Sequence, residues 1–139
     1  MRIVAMIPAR LGSKRIPKKN LRLLCGRPLI SYNIETAVKS KVFDEVYVNS
    51  EAEIFSGIAK EYGAHFYKRP EKFATDSTNN DQFTLDFINN IAGDILIQLL
   101  PTSPLVTIDE IKGFVDYMLT NDFDTLVSTV EHQIAGIFK

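Results

Sequence analysis

Five cations fall within ten residues: Arg10, Lys14, Arg15, Lys18 and Lys19, grouped around Gly12 in "VAMIPARLGSKRIPKKN". No acid lies among them. Such a cluster needs a counter-charge, and a di- or triphosphate supplies one. Arginine grips phosphate oxygens in pairs, and lysine adds a mobile point charge. Gly12 lets the backbone come close to a ligand, and Ser13 adds a hydroxyl donor. The alternative is a solvated basic loop or a patch that meets an acidic partner. The loop has neither the GxxxxGK[ST] nor the GxGxxG spacing, so it is not one of the common phosphate-binding motifs.

Charge is segregated along the chain. Residues 1–34 carry eight Lys/Arg and no Asp/Glu, whereas residues 35–139 carry a net −9, and the whole chain sums to −1. That balance argues against bulk attraction to nucleic acid or membrane. The single cysteine, Cys25, forms no intramolecular disulfide and reads as a structural residue in a reducing compartment. No apolar run approaches the ~20 residues of a membrane span, and the first eight residues do not make a signal peptide. The expectation is a soluble, cytoplasmic protein.

The elements that position the loop alternate. "RIVAMIP" reads as a buried strand, and "PLISYNIETAVKS" as a helix with Ile30, Ile34, Ala37 and Val38 on one face. "EVYVNS" is a second strand. Ser50 and Glu53 then form a capping box for a helix that buries Ile54, Ile58 and Tyr62 and stops at Gly63. "AHFYK" is a third strand, and residues 79–92 a helix with Phe83, Phe87, Ile88 and Ile91 inward. "DILIQLL" looks like a strand buried on both faces. A second capping box, Thr107 with Glu110, opens a helix burying Ile108, Ile111, Val115 and Met118, and "DTLVSTV" is a fifth strand. This order predicts one domain over 1–139: an α/β, Rossmann-like, mostly parallel sheet with helices on both faces.

In such folds ligands sit beyond the carboxyl ends of the strands. The basic loop and "PTSPL" therefore share one rim. Arg69 follows a strand and can face that rim, or form a surface salt bridge. Asn80 and Asp81 open a helix, and capping is the ordinary role for both. Pro101 and Pro104 stiffen a turn. His65 and His132 lack metal-ligand spacing.

"IPARLGSKRIPKKN" closely resembles the signature loop of the acylneuraminate cytidylyltransferases, the CMP-sialic acid synthetase group. "RPEKFATDSTNN" and "LLPTSPL" resemble the next two blocks of that family, in its order. The resemblance implies the nucleotide-diphosphosugar transferase fold, and transfer of CMP from CTP to a sugar acid with release of pyrophosphate. It implies that Arg10, Lys14 and Lys19 hold the triphosphate, with Arg10 and Lys19 acting on the reacting phosphates. Asn20 would fix the nucleotide, and the backbone of Ala9 with the Arg69 and Asn80 region would frame the cytosine. Leu100 and Pro101 would lie on the acceptor side. Magnesium is the expected cofactor, and the full-length family forms a homodimer.

The chain also departs from the family. Leu100 stands where a glutamine is usual, "NSE" at residues 49–51 where Ser-Thr-Asp is usual, and Asn80 where a small hydroxyl residue is usual. The family continues well past this length, so the resemblance implies a truncated copy with its metal ligands beyond residue 139. Two alternatives stay open: a related transferase of other specificity, such as one for a Kdo-type acid, and a non-catalytic nucleotide-binding module.

Overall fold

The computed structural model describes residues 1–13 and 16–129. Lys14, Arg15 and His132, named above, lie outside the described residues. The elements run β1 (Ile3–Pro8), β2 (Leu23–Leu24), β3 (Arg27–Pro28), α1 (Leu29–Ser40), β4 (Glu45–Ser50), α2 (Ile54–Glu61), β5 (His65–Lys68), α3 (Asn80–Asn90), β6 (Ile95–Gln98) and α4 (Ile108–Thr120). Four strands form a sheet of order β5-β4-β1-β6, with every pairing parallel.

β1 is central, which explains its unbroken apolar run: both of its faces are covered. Ala5 and Ile7 join Ile30, Ile34, Ala37, Val46, Val48, Phe55 and Ala59 in the main core under α1 and α2. Ile3 meets Ile97 and Val115 beneath α4. Val4 and Met6 point to the other face and pack on Phe87 of α3. Helices thus cover both faces, as the alternating pattern requires.

Four details differ from the sequence reading. First, Ser50 and Glu53 form no capping box. Ser50 is the last residue of β4, and its Oγ accepts the Ala52 N–H at 3.1 Å, so α2 begins at Ile54 without a side-chain cap. Its fully buried residues are Phe55 and Ala59, with Ile58 and Tyr62 packed half-buried against the same core as expected and Ile54 exposed.

Second, α3 is capped by Asn79, in a capping box with Gln82, and Asn80 is its first helical residue. Ile88 points to solvent, one step round from the Phe83–Phe87–Ile91 stripe. Third, among the described residues β6 is an edge strand, and only its Ile97 is buried. The fifth strand expected at "DTLVSTV" does not form among the described residues. Residues 124–128 instead run unpaired along a cavity lined by β6. Val130, the end of that expected strand, is outside the described residues. Fourth, a hairpin, β2–β3, was not expected. Its turn carries Cys25 at φ 49° and Gly26 at φ 78°, the paired left-handed geometry of a tight hairpin. Cys25 is exposed at this turn.

Candidate functional site

The strand order places β4 on one side of β1 and β6 on the other. The crevice beyond β1 is therefore the point where chain progression reverses, which is where ligands bind in open α/β sheets. The basic loop leaves β1 there. "PTSPL" leaves β6 beside it, as expected.

The start of the loop is pegged residue by residue. The Ala9 N–H donates to the Asn49 carbonyl at 2.9 Å, prolonging the β1–β4 pairing by one step. The Leu11 N–H donates to Glu51 Oε1 at 2.8 Å. Asn20 is buried, and its Nδ2 donates to the Arg10 carbonyl at 3.4 Å. Its Oδ1 is enclosed without a hydrogen-bond partner among the described residues. Gly12 is exposed, and Ser13 and Lys19 are half-buried. Lys18, at φ 50°, turns the chain into the short 3-10 segment Lys19–Leu21.

Arg10 is not without an acid. Its Nη2 lies 2.9 Å from Asp76 Oδ1, an ion pair that both partners make while partly exposed. Counting charge within the loop missed this, because Asp76 arrives from the segment after β5. Arg10, Gly12, Ser13, Ala74, Thr75 and Asp76 line one groove of about 390 Å³. Thr75 Oγ1 lies within hydrogen-bond distance of the Ser77 and Thr78 hydroxyls.

Among the described residues Arg69 forms no surface salt bridge. It is 3% exposed. Its Nε donates to Asn49 Oδ1 and its Nη2 to the Asn49 carbonyl, both at 2.7 Å. Nη2 also reaches the Ala9 carbonyl at 3.5 Å, and the guanidinium lies over the Phe83 ring at 4.4 Å. Burial pushes its pKa down, Glu51 opposes that shift and Arg10 adds to it. Arginine stays charged under such a shift. Arg69 thus ties together the carboxyl ends of β1, β4 and β5.

Asn80 sits on the β6 side of the rim, where its Oδ1 accepts from Gln98 Nε2 at 2.8 Å. Leu100 is 51% exposed, whereas Pro101 is buried. The turn they begin is closed by the Ser103 N–H on the Leu100 carbonyl at 3.0 Å, and Asn33 Nδ2 donates to the same two residues' carbonyls. Sequence reasoning passed over Gln98, Asn33 and Glu51 as site residues. Each carried a signal. Gln98 is the one polar residue in an apolar run, at its ligand-side end. Asn33 falls on the buried stripe of α1. Glu51 follows a strand directly at the rim.

Ala9, Arg10, Gly12, Ser13, Lys19, Asn20 and Arg69 thus gather at the end of β1, and Asn80, Leu100 and Pro101 at the end of β6. The fold is a Rossmann-like α/β sheet with a pegged basic loop at its switch point, the arrangement of nucleotidyltransferase folds. The chain belongs to the cytidylyltransferase family, whose sequence profile matches residues 4–135. It is 41% identical over 106 residues to the N-acylneuraminate cytidylyltransferase of Escherichia coli O18:K1:H7, covering 74% of this chain and 25% of that protein. It is 37% identical over 122 residues to the CMP-N,N'-diacetyllegionaminic acid synthase of Legionella pneumophila, covering 84% of this chain and 53% of that one. In fold it matches a CMP:2-keto-3-deoxy-manno-octonic acid synthetase complexed with CTP, with a TM-score of 0.76 and 22% identity, over 87% of this chain and 48% of that one. The chain therefore spans between a quarter and about half the length of these relatives.

Among the described residues, no group of three or more His, Cys, Asp or Glu side chains could hold a metal ion. No helix of the described residues is long and apolar enough to cross a membrane.

Proposed function

We propose that this chain supplies the nucleotide-binding part of an enzyme that transfers CMP from CTP to a sugar acid of the sialic or nonulosonic type, releasing pyrophosphate. The observation that carries this reading is the basic loop, pegged at the carboxyl end of β1 beside the "PTSPL" turn. The names borne by the relatives give the base and the acceptor class. The anomeric hydroxyl of the acid attacks the α-phosphorus, and the bond to pyrophosphate breaks.

Phosphoryl-type transfer of this kind is mostly positioning and neutralisation of charge. Arg10 and Lys19 neutralise the phosphates and the leaving group, with Lys14 as a third cation. Gly12 and Ser13 offer backbone and hydroxyl donors, and Asn20 steadies the nucleotide. Ala9, held by Arg69, gives the base an edge of fixed backbone, and Asn80 borders it. Leu100 and Pro101 line the acceptor side. Magnesium would supply further charge neutralisation. The described residues form no cluster of three or more His, Cys, Asp or Glu side chains to hold it. We place the reaction in the cytoplasm, feeding the assembly of surface polysaccharide such as capsule or lipopolysaccharide.

Calorimetric titration with CTP, ATP, GTP and UTP tests the reading. CTP should bind in preference to the others, and Arg10→Ala and Lys19→Ala should each weaken it by ~10-fold or more. Equal affinity for all four nucleotides, or an Arg10→Ala variant that binds like the parent, would overturn it.

A further inference from the structure

A carboxylate near an anion site repels the ligand unless it serves the site, and Glu51 stands at this rim with Oε1 on the Leu11 N–H at 2.8 Å. We propose that Glu51 is a positioning residue that fixes residues 9–11, at the start of the basic loop, for the triphosphate, an inference that rests on the function proposed above.

The carboxylate is itself held. Its Oε2 accepts the Ser50 hydroxyl at 3.3 Å, and Ser50 Oγ in turn accepts the Ala52 N–H at 3.1 Å. The Glu51 backbone carbonyl accepts the Lys68 ammonium. Glu51 is thus a fixed post at the end of β4, the strand next to β1. It completes a series along the loop. Ala9 is tied through its N–H, Arg10 through its carbonyl and Leu11 through its N–H.

The next two amides, of Gly12 and Ser13, donate to no group among the described residues, and both residues line the Arg10 groove. Fixing residues 9–11 presents those two donors and Arg10 together. Without the tie at Leu11, a ligand has to order the loop as it binds, and that ordering lowers affinity. The cost of a like charge near the phosphates is accepted because a carboxylate oxygen is a strong, directional acceptor for the amide.

Two substitutions separate geometry from charge. Glu51→Gln keeps an oxygen that can accept the Leu11 N–H and removes the charge, whereas Glu51→Ala removes both. Positioning predicts that Glu51→Ala weakens CTP binding by ~10-fold while Glu51→Gln binds as tightly as the parent or tighter. A thermal melt confirms that both variants fold. An Ala variant that binds as tightly as the parent overturns the inference, and so does an equal loss in both variants.

Amide exchange in the ligand-free chain gives a second readout that needs no nucleotide. The Leu11 amide should exchange faster in Glu51→Ala and be unchanged in Glu51→Gln. If the parent binds no CTP, the proposed function falls, and this exchange pattern alone then decides whether Glu51 holds the loop. Unchanged Leu11 exchange in the Ala variant sinks the inference.

Discussion

Two nitrogens of Arg69 end on one residue: Nε on the side-chain oxygen of Asn49 and Nη2 on its backbone carbonyl, each at 2.7 Å. Asn49 is itself fully buried, and its Nδ2 contacts Met6 Sδ at 3.1 Å. The arginine therefore acts as a three-strand clamp whose fork geometry lysine cannot reproduce. Arg69→Ala leaves the buried Asn49 Oδ1 without its donor and takes one of two donors from the Asn49 carbonyl, which keeps the Ala9 N–H, and should cost about 1–3 kcal/mol in urea unfolding. Arg69→Lys should recover only part of that. Both should also weaken nucleotide binding, because Ala9 loses its support. Unchanged stability in Arg69→Ala would show that the clamp is dispensable.

Tyr67 offers a spectroscopic handle on the α3 face. Its hydroxyl donates to Asp86 Oδ2 at 2.7 Å, and its ring meets Phe87 edge-on. Burial, then the Asp86 carboxylate, pushes its pKa from the ordinary 10.0 up to about 12. The phenol is favoured in the folded state, so the unfolded chain loses its proton first as pH rises. Stability that is fully present below pH 10 should fall between about pH 10 and pH 12. Tyr67→Phe should flatten that decline without abolishing it, since Tyr47 is shifted in the same direction by burial and Glu45. The check is urea unfolding at several alkaline pH values, beside an ultraviolet titration of tyrosinate. A parent and a Phe variant with superimposable alkaline profiles would show that Tyr67 is not the group responsible.

Most of the fold was legible because burial imposes periodicity. β1 and α1 announced themselves through continuous and i, i+4 apolar patterns, and both lie where those patterns put them. The errors occurred where a local signal competed with packing. Ser50 and Glu53 have the spacing of a capping box, but Ser50 is still paired within the sheet when the turn begins. "DILIQLL" has the composition of a strand buried on both faces, yet among the described residues only Ile97 of β6 is buried, because composition reports the burial a segment can reach and not what covers it. The basic loop was legible as a cation cluster at the sheet's ligand edge, from charge and from its place after β1. Asp76 and Glu51 were not legible as its partners, because they come from other strands' ends and only the sheet order brings them together; Arg69 was placed at the rim, but its ties to Asn49 and Ala9 were not foreseen. Cys25 and Gly26 show the same limit in reverse: two residues with positive φ make a hairpin that no hydrophobic pattern reveals.

Asn33 tests whether the acceptor-side turn depends on helix α1. It is 1% exposed, and its Nδ2 donates to the Ser103 carbonyl at 3.0 Å and the Leu100 carbonyl at 3.4 Å. Its Oδ1 is enclosed with no partner among the described residues. The side chain thus gives its donor to residues 100–103 and receives nothing in return. Asn33→Ala should destabilise the chain by about 1–3 kcal/mol and speed amide exchange at Ser103. Asn33→Asp makes a sharper experiment. A buried carboxylate facing two carbonyls has no donor, so its folded-state pKa must rise above the unfolded value of about 4. Stability of the Asp variant should then be greatest below that value, where the acid is neutral in both states, and fall as the pH rises through the raised folded-state pKa. An Asp variant equally stable at low and neutral pH would mean that the side chain has swung away from the turn, and that another contact holds residues 100–103 against α1.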